Sequence, residues 1–296
     1  MDHLASQGSV ALEADRGLLY AVNAGSDTIT VFSVYGDHLV RREVTGSGGD
    51  FPVSIAVHGN LIYVLNARDG GSVQGFVQTD QGLLRVPAWH RSLGLDPALT
   101  PEFTHTPGQV AFTPDGSQLI VTTKANGNDV DVFGVRAGGG LSAAPTVTSL
   151  PGQVPFAVTF DAGGHLVIAE AGSNALATFT VNGDGTLSAI SGVLTGQAAT
   201  CWVTATGTDL YASNAGSASL SGYTDTGSGS LTAAGTTSTG PGTVDAAAAP
   251  NGRFLYVQAG GTGIVDEFRI GGGGSLSPIG SVTVPDGAGG EGIAAS

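Results

Sequence analysis

The chain has 296 residues, enough for one large or two ordinary domains with a sizeable core. Asp and Glu number 24 against 10 Lys and Arg, a formal net charge of -14. That balance leaves no basic stripe for nucleic acid and disfavours anionic membrane surfaces.

The single cysteine, Cys201, cannot form an intrachain disulfide. No apolar run approaches the roughly 20 residues of a membrane-spanning helix. The N-terminus, MDHLASQGSV, lacks the charged-then-apolar pattern of a signal peptide. A cytoplasmic protein is therefore expected. Glycine is abundant, at 49 residues, yet apolar residues still make up 41% and recur in short blocks. Short apolar blocks separated by Gly-rich turns predict many short strands. No window of a dozen residues holds a helical apolar period.

The predicted elements follow one pattern along the chain. The stretch LLYAVNAGSDTITVF returns as LIYVLNARDGGSVQGF, LIVTTKANGNDVDVF, LVIAEAGSNALATF, LYASNAGSASLSGY and FLYVQAGGTGIVDEF. Each return holds a polar residue where its first apolar run ends: Asn23, Asn66, Lys124, Glu170, Asn214 and Gln258. These positions are spaced by 43, 58, 46, 44 and 44 residues, a period typical of repeat architectures. Ahead of each return lies a strand-and-turn segment such as SIAVHGN or VAFTPDG, and after it a segment such as GSGSLTAAG. Four short strands per unit cannot bury both faces alone. Stacking the sheets radially solves this, which predicts an all-β fold, a β-propeller of four-stranded blades in one domain over residues 1–296.

Inner strands are expected near Ser9, Ser54, Gln109, Pro155, Cys201 and Val244, giving six complete blades. The tail EGIAAS, from Glu291, reads as an orphan seventh inner strand. Two explanations stand. The tail seals a six-bladed ring, or Met1 is an internal start that removed three strands of a seventh blade. The second is preferred, and the open edges it leaves would favour a homodimer.

The repeat core, apolar-Tyr-Val-x-Asn-x-Gly-Ser followed by a Val/Ile-x-Val-Phe strand, resembles the lactonase-family propellers. These include the 6-phosphogluconolactonase-like proteins and the carboxymuconate-lactonising enzymes. SQGSVALEADRGLLYAVNAGSDTITVF, QVAFTPDGSQLIVTTKANGNDVDVF and ATCWVTATGTDLYASNAGS all fit, so the likeness spans essentially the whole chain. It implies a seven-bladed norm and a chemistry of hydrolysing or forming lactones on a small-molecule substrate, without a cofactor or metal. Fold-level likeness alone does not assign the reaction.

In a propeller, turns between first and second strands lie on one face. Second-to-third turns and blade connections lie on the other, where ligands usually bind. His58 and His165 fall in first-to-second turns and read as solvated. His3 is terminal, and His38 lies in an outer hairpin. His90 sits beside Trp89 in the long connection from Ala88 to Gly108. His105 ends that connection, the largest insertion in the repeat, and an imidazole there suits proton transfer near neutral pH. A histidine that simply ties the loop to itself is the alternative.

Asn23, Asn66 and Asn214 read first as turn caps. Lys124 and Glu170 break that pattern. Either they pair across a blade boundary, or Lys124 holds a carboxylate or oxyanion while Glu170 is a base or proton shuttle. The catalytic set expected at a shared hub is His105, Lys124 and Glu170. Replacing Lys124 or Glu170 should then abolish turnover with little change in melting temperature. Arg68, Asn66, Gln109, Cys201, Asn214, Asp245 and Gln258 are expected around the substrate, with Cys201 otherwise a packing residue. A phosphorylated lactone fits weakly, since only Lys124 and Arg68 supply positive charge there. Two other readings remain: a non-catalytic scaffold for a peptide or protein, and a metal-dependent lactonase using Glu170, Asn214, Asn23 and Asp245.

Overall fold

Six sheets of antiparallel strands, joined in sequence by tight turns, carry almost all the regular structure of the computed structural model, which describes residues 4–296. His3 lies outside the described residues. The first blade is β1 (Val10–Glu13), β2 (Leu18–Asn23), β3 (Thr28–Tyr35) and β4 (His38–Gly46). The second is β5 (Pro52–His58), β6 (Leu61–Asn66), β7 (Ser72–Thr79) and β8 (Gly82–Arg85), with the short β9 (Arg91–Ser92) also pairing with β7. A one-turn helix, α1 (Glu102–His105), precedes the third blade: β10 (Val110–Phe112), β11 (Gln118–Thr122), β12 (Asp129–Gly134) and β13 (Thr146–Ser149).

The fourth blade is β14 (Pro155–Phe160), β15 (Leu166–Glu170), β16 (Ala175–Val181) and β17 (Leu187–Leu194). The fifth is β18 (Thr200–Thr206), β19 (Asp209–Asn214), β20 (Ser219–Thr224) and β21 (Thr232–Ser238). The sixth is β22 (Thr243–Ala248), β23 (Phe254–Ala259), β24 (Ile264–Ile270) and β25 (Leu276–Thr283). The fold is an all-β propeller of six four-stranded blades, and the blades divide into two compact units, residues 4–151 and 152–296. Among the described residues no helix is long and apolar enough to cross a membrane.

Burial follows strand position. In the second blade the second and third strands, β6 and β7, are buried nearly throughout, whereas fourth strands such as β4 and β25 are mostly exposed. In the first unit Tyr63, Leu65, Val73, Phe112, Leu119 and Phe133 form one cluster between neighbouring sheets. In the second unit Tyr211, Leu220, Leu255, Val257 and Phe268 form its counterpart. Apolar faces of adjacent blades supply each other's core, which is why a single blade would not be stable.

A polar pin repeats between blades. Tyr63, fully buried in β6, donates through its hydroxyl to the carbonyl of Gly139 at 2.6 Å, in the β12–β13 hairpin of the next blade. Tyr211 in β19 does the same to Gly274 at 3.1 Å, and Tyr20 in β2 reaches Gln78 Oε1 at 3.1 Å. The fourth blade substitutes Thr178, whose hydroxyl donates to Gly229 at 2.5 Å. The repeated aromatic is thus both core and inter-blade anchor.

Inner strands carry a second recurring feature. Register shifts fall near the start of β5, β14, β18 and β22, at Pro52/Ser54, Pro155/Val158, Thr200/Trp202 and Thr243/Ala246. Such bulges re-aim side chains, and Cys201 and Asp245 both sit at one.

The tail differs from expectation. Glu291 to Ser296 form no strand. Instead the preceding segment laces along the β23–β24 turn, with Val284 N–H donating to Gly263 O and Gly289 N–H to Gly260 O, each at 2.8 Å. Backbone bonds to a turn, not to a sheet edge, leave the tail without the partner ladder that defines a strand.

Tyr63→Phe removes one buried donor and leaves the Gly139 carbonyl unsatisfied. We expect a loss of about 1–3 kcal/mol, seen as a fall of a few degrees in melting temperature. An unchanged melting temperature would show that the pin adds nothing.

Candidate functional site

The long connection between the second and third blades shapes a pocket of about 190 Å³ in the first unit. Its polar lining comes from Arg68, Asp69, Asp96, Glu102, His105 and Asn126. Arg68 and Asp69 stand in the β6–β7 turn, and Asn126 in the β11–β12 turn. Asn126, buried, binds the loop at three points. Its amide donates to the carbonyls of Asp96 and His105, both at 2.9 Å, and its Oδ1 accepts from Asp96 N–H at 3.2 Å. An insertion of this length would be costly to order without such anchors.

His105 supplies the pocket's imidazole. Its Nδ1 lies 2.9 Å from the Pro101 carbonyl and 3.0 Å from Thr104 Oγ1. A carbonyl only accepts, so Nδ1 carries the proton and donates. In the neutral ring the lone pair then sits on Nε2. That tautomer is set by the helix itself, because Pro101 precedes α1 by one position.

Arg68 faces Glu102 in a two-bond fork: Nε to Oε1 at 2.7 Å and Nη2 to Oε2 at 3.1 Å. Its guanidinium also lies 4.1 Å above the Phe51 ring. The bonds from Arg68 hold the Glu102 carboxyl below the usual carboxylate range, so it stays ionised in the neutral range. Nearby, Asp50 and Asp69 are close enough to hydrogen-bond, and that contact raises the Asp50 carboxyl above its ordinary value.

Lys124 corrects the sequence reading. It lies in the turn beyond β11, left-handed at φ +54°, and is fully buried. Its ammonium donates to the carbonyls of Leu4 at 2.8 Å, Ala5 at 3.0 Å and Phe103 at 2.5 Å, and to Thr106 Oγ1 at 3.0 Å. An ammonium has three protons, and protein oxygens already surround it. It is a structural cation that fastens the N-terminal segment and α1 to the third blade, not a holder of substrate charge. His105 and Lys124 are thus brought together, with Lys124 gripping residues on either side of the histidine.

Glu170 belongs to the other unit. It ends β15, is buried, and accepts from Ser173 Oγ at 3.3 Å. Burial pushes its carboxyl above the usual range. Its carboxyl thus serves the turn that follows its own strand.

The remaining predicted residues divide. Asn214 is fully buried, and its amide group is saturated: Oδ1 accepts from Thr200 at 2.7 Å, while Nδ2 donates to Ser219 and Ser221 at 3.2 and 3.0 Å. Asn23 clamps Thr28 and Thr30 in the same way. Asn66 is also fully buried, near Ser72 at 3.5 Å, and its Oδ1 has no partner. These asparagines tie second to third strands, as the capping alternative expected. Gln109 is buried at the start of β10, its backbone N–H bonded to Thr122 Oγ1. Asp245 is buried at its bulge, and Cys201 is half-buried at its own. Gln258 borders a small cavity of about 110 Å³ in the second unit. A larger one there, about 550 Å³, is lined by Trp202, Glu291 and glycine backbone.

The histidines on first-to-second turns are not simply solvated. His165 Nδ1 donates to Asp161 Oδ2 at 2.8 Å, and His58 packs against Phe112 with ring centroids 5.6 Å apart. Glu102, Asp69, Asp96 and Asn126 were missed by sequence reasoning. Only Glu102 left a signal, three positions before His105 in the same insertion. Among the described residues no group of three or more His, Cys, Asp or Glu is placed to hold a metal ion.

The fold is that of propellers named as lactonases. A provisionally assigned 6-phosphogluconolactonase from Bacteroides fragilis matches with a TM-score of 0.79 at 21% identity, over 96% of this chain and 86% of that one. A periplasmic gluconolactonase from Pseudomonas aeruginosa matches with a TM-score of 0.78 at 21% identity, over 93% and 85%. Virginiamycin B lyase from Staphylococcus aureus is a more distant likeness, with a TM-score of 0.62 at 14% identity, over 91% and 82%. No protein-family model matches the chain, and no curated protein does.

Two outcomes are expected. Lys124→Met strands three backbone carbonyls and should cost about 3–5 kcal/mol, lowering the melting temperature sharply. Little change would contradict the structural role. Glu170→Gln should act in the opposite direction. Its folded carboxyl titrates above its unfolded value, so the wild type loses stability as pH rises through that window. The variant should melt higher than wild type above the window and equal to it below. A pH-independent difference would contradict the burial argument.

Proposed function

We propose that the chain is a lactone hydrolase acting at the pocket of the first unit, with His105 as general base. The observation that carries this is the Nδ1–H bond from His105 to Pro101, which leaves Nε2 as the proton acceptor in a polar pocket. The names of the propellers sharing the fold support the reaction class.

Nε2 takes a proton from water as its oxygen attacks the lactone carbonyl. The tetrahedral oxyanion develops beside the Arg68 guanidinium, which Glu102 and Phe51 hold in place. Collapse breaks the ring C–O bond, and the imidazolium returns the proton to the departing alkoxide. The product is an open hydroxy acid, ionised at neutral pH, with the released proton passing to solvent. Positioned acid–base catalysis contributes about 10²–10⁴-fold.

His105→Gln should therefore lower kcat/KM for lactone opening by roughly 10²-fold or more, measured by proton release, with an unchanged melting temperature. Hydrolysis at the wild-type rate in that variant would end the proposal.

A further inference from the structure

Charge around this pocket points to the class of lactone it takes, an inference that rests on the lactonase reading. Three carboxylates line it, Asp69, Asp96 and Glu102, against one cation, Arg68. That cation is matched by Glu102 through both oxygens. The nearby Lys124 ammonium is fully buried and turned onto Leu4, Ala5, Phe103 and Thr106. Asp96 keeps one oxygen on the Ala98 N–H at 2.9 Å. The field a ligand meets here is negative.

We propose that the pocket selects uncharged, polyhydroxylated lactones and rejects phosphorylated or carboxylated ones. Hydroxyl groups can donate to Asp69 and Asp96, whereas a phosphate wants two or three convergent cations and would meet like charge. About 190 Å³ suits a single six-membered ring with its hydroxyls. Asp69 and Asp96 are then the specificity-determining residues, bonding to substituents away from the reacting carbonyl.

Binding and turnover test this separately. Isothermal titration of the wild-type protein with glucono-1,5-lactam, a neutral ring that resists hydrolysis, is compared with titration of its 6-phosphate. Affinity for the neutral ring should be at least tenfold higher, the gap narrowing in high salt as screening weakens the repulsion. The Asp69→Asn/Asp96→Asn variant should narrow it at low salt, by gaining affinity for the phosphate form. Equal or tighter binding of the phosphate form overturns the inference, and so does failure of the neutral ring to bind. The lactonase reading has its own readout in lactone opening. Hydrolysis that favours the phosphorylated lactone would sink the charge selection while leaving that reading intact. Tight binding of the neutral ring without any turnover would support the selection and sink the chemistry.

Discussion

The ammonium of Lys124 is the contact on which the candidate site depends. Four protein oxygens lie within 2.5–3.0 Å of it, and solvent does not reach it. A buried charge is tolerated only when its hydrogen-bonding capacity is met. The demand draws Leu4 and Ala5 in from one side and α1 from another. It also compensates a lysine held at positive φ, a conformation that costs of order 1 kcal/mol without support. His105 lies between two of the lysine's partners, Phe103 and Thr106, so its place at the pocket follows from a charge that never touches the ligand.

The repeat places most of the fold in view of the sequence. Strand starts near Ser54, Pro155 and Val244 lie within two residues of those observed, because alternating apolar positions and Gly-rich turns are local signals. The fate of the tail was not local. EGIAAS has the composition of an inner strand, but a strand exists only when another chain segment offers its backbone. Here the segment before it bonds to the Gly260–Gly263 turn instead.

The site was readable in part for the same reason. His105 and Arg68 stand out as rare residue types on a long insertion and a turn. The partnership of Arg68 with Glu102, 34 positions apart, needs tertiary structure, as does the bond from Lys124 to Leu4 across 120 positions. Departure from the repeat marked Lys124 correctly as special. It did not separate a cation kept for the substrate from one spent on the scaffold, since side-chain direction is set by the αL turn at that position. Chemistry in this chain gathers where the repeat is broken. Blades that keep the pattern invest their polar residues in pins and strand ties, as Tyr63, Tyr211 and Asn214 do.

The tautomer of His105 tests the central claim most directly. Nitrogen-15 NMR of imidazole-labelled protein at mildly alkaline pH should show Nδ1 protonated and Nε2 with the shift of a bare acceptor. Adding glucono-1,5-lactam should move the Nε2 resonance. A protonated Nε2 with a bare Nδ1, or an Nε2 resonance blind to the lactam, would contradict the assignment of His105 as the base of this pocket.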